Sequence, residues 1–143
     1  MIDIAIFRVH NITQGLIVAK VSLEEDKHAM ILNATGAGAS LGPLVFVQMV
    51  ALIASTYPKA KILSGLDCGN KAGIALNAMK CGIREIFFYS TKRKIKRKLE
   101  QLAKSYRIKL HDIPKNYLDL GIADNTEESV RIYFSNGNIN EKK

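Results

Sequence analysis

Asp67 and Cys68 close an apolar run, "AKILSGLDC", and the next residues, "NKAGIALNAMKCG", read as a helix. A cysteine between a strand and a helix start lies where the helix dipole favours a thiolate. With His111, at the end of a later apolar run, it would make a nucleophile and base if their strands were neighbours. The phosphate loop of cysteine phosphatases and sulfurtransferases places an arginine six residues after the cysteine, where this chain has Ile74. Cys68, Asp67 and His111 are therefore catalytic candidates without a complete motif, and a binding domain is expected rather than an enzyme. The competing readings are a small buried residue for Cys68 and a helix cap for Asp67.

The glycine loop "NATGAGASLGPL" at 33–44 allows a second chemistry, anion binding. Gly36 and Gly38 fit the start of G-x-G-x-x-G, but the third position is Leu41 and Gly42 comes one residue late. An acid, Asp67, does end the following strand, where a ribose hydroxyl would be held. A phosphate loop of the Walker type would end in Gly-Lys-Ser/Thr, and this one ends in Gly42–Pro43. What survives is a row of backbone N–H groups at a helix start, which suits an anion. The competing reading is a strand-to-helix connection that uses glycine for its freedom. The ligand-binding candidates are Gly36, Gly38, Ser40, Asp67 and Lys71, with Lys92 closing from the next loop. They suit an anionic small molecule; no particular cofactor is implied. His10, His28 and His111 lack metal-ligand spacing, so no metal site is expected.

The formal net charge is +8 over 143 residues. Residues 91–109 hold nine bases against the single acid Glu100, so this segment carries the whole excess. Arg93, Lys94, Lys96, Arg97 and Lys98 open a helix, where cations oppose the dipole at a cost of roughly 0.3–1 kcal/mol each. Nucleic acid or another polyanion would relieve that cost. No aromatic is interleaved to stack on bases, and no base-reading motif is present. A solvated basic face is the alternative, and an interaction domain without a ligand is a third reading.

These residues must be positioned by regular elements. Strands are expected at 2–9, 28–34, 60–68, 83–90 and 107–113, from short runs rich in apolar and β-branched residues. Helices are expected between them. The first begins after Asn11 or Thr13 with Ile12, Leu16, Ala19 and Leu23 on one face, although "GLIVAKV" could equally be a strand. The second, 43–56, opens with Pro43 and is apolar nearly all round, which implies burial on several sides. The third, 71–82, stops at Gly82. The fourth is the basic helix 91–106, with Ile95, Leu99, Leu102 and Tyr106 on one face.

Alternating strands and helices predict one three-layer α/β domain, with a mostly parallel five-stranded sheet and helices on both faces. A flavodoxin-like or half-Rossmann strand order is expected, with ligands at the carboxyl ends of the strands. The domain is placed at 1–125. A C-terminal extension follows at 126–143, in which "VRIYF" at 130–134 reads as an extra edge strand before a frayed tail.

"LDCGNKAGIALNAMKCGIREIFF", preceded by the glycine loop, resembles a group of small uncharacterised bacterial α/β proteins with a similar Asp-Cys-Gly pattern. The resemblance covers residues 28–90 and implies the fold, with no activity attached. The start of the chain lacks the features of a signal peptide, and its longest apolar stretch is too short to span a bilayer. A soluble, cytoplasmic protein is expected, with no membrane partner and with a homodimer covering the apolar second helix as an option.

Overall fold

A computed structural model describes residues 4–35 and 42–136 of the chain. The elements are β1 Ala5–Val9, α1 Ile12–Glu25, β2 Ala29–Asn33, α2 Pro43–Thr56, β3 Ile62–Asp67, α3 Ala72–Lys80, β4 Glu85–Phe87, α4 Arg93–Tyr106, β5 Lys109–His111, β6 Leu118–Asp119 and α5 Thr126–Ser135. A single 3-10 turn, Leu120–Ile122, precedes α5. The expected α/β domain with a parallel sheet is borne out: all pairings are parallel, in the order β5-β4-β3-β2-β1-β6. The β3-β2-β1 part is the half-Rossmann order, and β4 and β5 continue it outward. The chain then returns across the sheet, and β6 pairs with the far side of β1.

The glycine loop candidates Gly36, Gly38 and Ser40 lie outside the described residues. Around that gap the local chemistry is legible. Asn11 caps α1, its side chain accepting the Gln14 N–H at 2.9 Å, so "GLIVAKV" is helical. Pro43 is the first residue of α2, which follows Gly42 in a positive-φ conformation. Gly82, at φ +88°, takes the left-handed position past the end of α3.

Burial bears out most of the expected face of α1: Ala19 is buried, and Ile12 and Leu16 pack against the core. Gly15, Val18, Ala19 and Ser22 turn inward, while Leu23 is 41% exposed. The reason is close helix packing: a Cβ on Gly15 would collide with Ile53 of α2. The expectation for α2 is corrected. Pro43, Phe46 and Ile53 are buried, but Leu44, Val45 and Leu52 are exposed. The helix packs between α1 and α3 over β3 and has one side left open.

The extra strand expected at 130–134 is a helix, and this is the clearest correction. Asn125 caps it, accepting the Glu128 N–H at 3.1 Å, and Glu127 and Glu128 complement the dipole in its first turn. Val130, Tyr133 and Phe134 follow the helical spacing and bury against β1, both rings meeting Phe7 edge-on at 5.3 and 5.2 Å. Over five residues, strand alternation and helix periodicity are too similar to separate. The extra edge strand exists, but it is β6, which comes before the extension and pairs with β1.

The buried apolar residues among those described form three clusters. One joins Phe7, Val9 and Ile31 to α1, α2 and α5; a second joins Leu66, Ile86 and Phe88 to α2, α3 and α4. The third lies on the alternate strand positions: Ile6, Met30, Leu32 and Phe87, packed with Ile4 and Ile113. Gly65 makes this third cluster possible, since a Cβ there would stand 2.7 Å from the Phe87 ring. No helix among the described residues is long and apolar enough to cross a membrane.

Candidate functional site

The strand order reverses between β1 and β6, and open α/β sheets place ligands at such a reversal, beyond the carboxyl ends. Arg8 stands there. It is one residue from the end of β1 on the alternate face, and only 1% of it is exposed. Its Nη1 donates to the Asn33 carbonyl at 3.1 Å, and Nη2 meets Asp67 Oδ2 at 2.8 Å. The guanidinium lies 4.3 Å from the centroid of the Tyr117 ring. Tyr117 belongs to the segment that crosses from β5 to β6. Arg8 Nε is fully buried and, among the described residues, has no hydrogen-bond partner.

Asn33 holds the opposite side of this group. Its Oδ1 accepts the Asp67 N–H at 2.7 Å, and its Nδ2 donates to the Asp67 carbonyl at 3.1 Å. One amide side chain thus clamps both polar groups of the Asp67 main chain. Asp67 Oδ1 accepts the Gly69 N–H at 2.8 Å, so the carboxylate stabilises the 67–69 turn and the Arg8 pair rather than capping α3. The N-cap of α3 is Lys71, exposed and without a side-chain cap bond.

His10 and Asp119 form a second polar group beside the reversal, with His10 Nε2 and Asp119 Oδ1 at 2.6 Å. Gln14 accepts the His10 N–H at 2.7 Å and donates to the Leu120 carbonyl. A Cβ on Gly121 would run into the imidazole, so that glycine makes room for the ring. Burial pushes the Asp119 carboxyl up, but the Gly121 N–H, His10 and Arg8 together outweigh it and hold the carboxyl below its ordinary range.

The catalytic candidates are not brought together. Cys68 is 3% exposed and packs in the second cluster, toward the helices. Burial, then the neighbouring Asp67 charge, pushes its thiol up to about 12. The dipole argument for a thiolate loses because the sulfur is enclosed by apolar atoms, the reverse of an activated cysteine. His111 lies two strands away on β5, where it meets Glu85 at 2.6 Å and stacks on Phe87 at 4.8 Å. Among the described residues no group of His, Cys, Asp and Glu could hold a metal ion.

Lys71 and Lys92 are both exposed at helix starts on this carboxyl edge, and among the described residues neither makes an ion pair. The Lys92 N–H donates to Ser90 Oγ at 3.0 Å. Of the basic cluster, Arg93, Lys94, Arg97 and Lys98 are exposed, and Lys96 is half-buried with Asp112 at 3.7 Å. Sequence reasoning missed Arg8, Asn33, Tyr117 and Asp119 altogether. A signal was present for two of them: Arg8 is the one charge inside the apolar run "IAIFRV", and Asn33 ends the apolar run "MIL".

No protein-family model and no curated protein matches the chain. Among solved structures the fold is similar to that of the YdjI aldolase from Escherichia coli K12, with a TM-score of 0.63 at 17% identity. The match covers 76% of this chain and 44% of that one, so the chain spans less than half the length of the protein it resembles. At that identity the likeness is one of fold.

Proposed function

We propose that the protein binds an anionic small molecule at the carboxyl edge of its sheet, with Arg8 at the base of the site and Lys71 and Lys92 at its rim. The observation that carries this reading is the buried Arg8 side chain, anchored on Asn33, Asp67 and Tyr117, with an Nε–H that has no partner among the described residues. A buried donor left open costs free energy unless something accepts from it. An anion with an oxygen at that position satisfies the donor, and because Asp67 already balances the charge on Arg8, the rim lysines supply the charge that answers the anion. The reversal of strand order beside Arg8 supports the same location.

The test is thermal unfolding with inorganic phosphate, a sugar phosphate, AMP and ATP as probes. A ligand at a hundredfold excess over its Kd stabilises by about 2.7 kcal/mol, which is about 5–10 °C for a domain of this size. The Lys71→Gln/Lys92→Gln variant, which leaves the buried group intact, should lose most of the shift. No saturable shift with any probe overturns the reading, as does a shift that the double variant leaves unchanged.

A further inference from the structure

The exposed side of α4 carries charges that the rest of the chain does not answer. Arg93, Lys94, Arg97 and Lys98 are exposed, and among the described residues none of the four makes an ion pair. Spacing by four stacks Arg93 on Arg97 and Lys94 on Lys98, two columns with a repeat of about 5.4 Å. Leu99 and Ala103 are buried on the other side and fix which way the helix faces. The first turn has no acid and no side-chain cap, so the cations stand against the positive end of the dipole. Negative charge brought from outside relieves both the dipole and the repulsion along the columns.

A trough runs beside these cations. One part, of about 220 Å³, is lined by Arg93, Lys96, Arg97 and Glu100. The adjoining part, of about 190 Å³, shares Lys96 and Glu100 and continues to His111 and Asp112 at the end of β5. Tyr89, four residues before Arg93, is 56% exposed, and its N–H is tied to the Gly69 carbonyl at 2.8 Å. An exposed aromatic on an anchored backbone, just ahead of a run of cations in the chain, suits a single strand, with a base on the ring and phosphates on the cations.

We propose that the exposed face of α4 binds single-stranded nucleic acid through its phosphates, with Tyr89 as a platform for one base. Its four cations are none of the residues assigned to the site at Arg8, which Tyr89 adjoins through Gly69, and this binding stands whether or not that site takes a ligand. The strand is favoured over a duplex because Tyr89 needs an unstacked base. The sequence carries no base-reading motif, so binding is without sequence preference.

Anisotropy of a fluorescein-labelled oligothymidylate of about 20 nucleotides, measured from 50 to 200 mM NaCl, tests this. Four phosphate contacts on a single strand predict a log–log slope of about −3, an affinity loss of about 50-fold over that range. The Arg93→Gln/Lys94→Gln/Arg97→Gln/Lys98→Gln variant, with its helix content checked by circular dichroism, should bind at least tenfold more weakly at 50 mM, with a slope near zero. Tyr89→Ala should weaken oligonucleotide binding at least fivefold and leave retention on heparin, which has no bases, unchanged. Absence of binding at 50 mM NaCl, a quadruple variant within twofold of the parent, an unaffected Tyr89→Ala, or tighter binding to the duplex would each overturn it.

Discussion

The Arg8–Asp67 pair offers the sharpest test of how this site is built. Its side chains are 1% and 5% exposed and meet at 2.8 Å. Removing one partner of such a pair leaves the other charge buried and uncompensated, at a cost of about 3–5 kcal/mol. Asp67→Asn keeps an acceptor for the Gly69 N–H and removes only the charge. Arg8→Met keeps much of the volume. Against a total stability of about 5–15 kcal/mol, either single change should be conspicuous, lowering Tm by about 10 °C or more. The double variant restores electrical balance. It still loses the donor to the Asn33 carbonyl, about 1 kcal/mol, and the cation on Tyr117, about another 1 kcal/mol. It should therefore lose about 2 kcal/mol, less than either single change. Urea titrations of all four proteins at pH 7, followed by circular dichroism, give the coupling directly. Losses that simply add, to within about 0.5 kcal/mol, would refute the claim that the two charges balance each other in the interior.

Two other outcomes follow from the same geometry. With its thiol pushed up to about 12 and its sulfur enclosed, Cys68 should resist iodoacetamide at pH 8, so the folded protein takes up one equivalent, at Cys81, and a second only in denaturant; two rapid equivalents would contradict the burial. Asp119 has a carboxyl held below its ordinary range, so its contribution to stability is present above about pH 4 and is lost as pH falls through the lower folded value. Urea midpoints should then separate the parent from Asp119→Asn at pH 5 and converge toward pH 2.5, and a constant gap would refute the assignment.

The course of strands and helices could be read locally because each element carries its own signals. Asn11 before α1, Pro43 opening α2 and Gly82 after α3 act within a few residues, and the tertiary structure leaves them in place. "VRIYF" was read wrongly because its outcome depends on a distant residue. The five residues fit a strand or a helix equally well until Phe7 offers a surface that Tyr133 and Phe134 can both reach from one helical face. On α1 the expected face holds except at Leu23, and contact with Ile53 adds Gly15 as an inward position.

The candidate site divides along the same line. Composition alone placed the entire charge excess at 91–109, because charge is counted and not folded, and the exposed columns on α4 follow from helical spacing. Asp67 was also visible, as an acid at a strand end. Its partner was not. Arg8 and Asp67 are 59 residues apart in the chain, and they meet only because β2 lies between β1 and β3 and parallel register brings three strand ends level. Tyr117 and Asp119 join them because the chain crosses the sheet and pairs with β1 from the other side, a choice of edge that no local residue encodes. Local signals act over one or two turns and so determine the elements; burial of a charge is decided by whichever strands become neighbours, and that is settled only when the sheet forms.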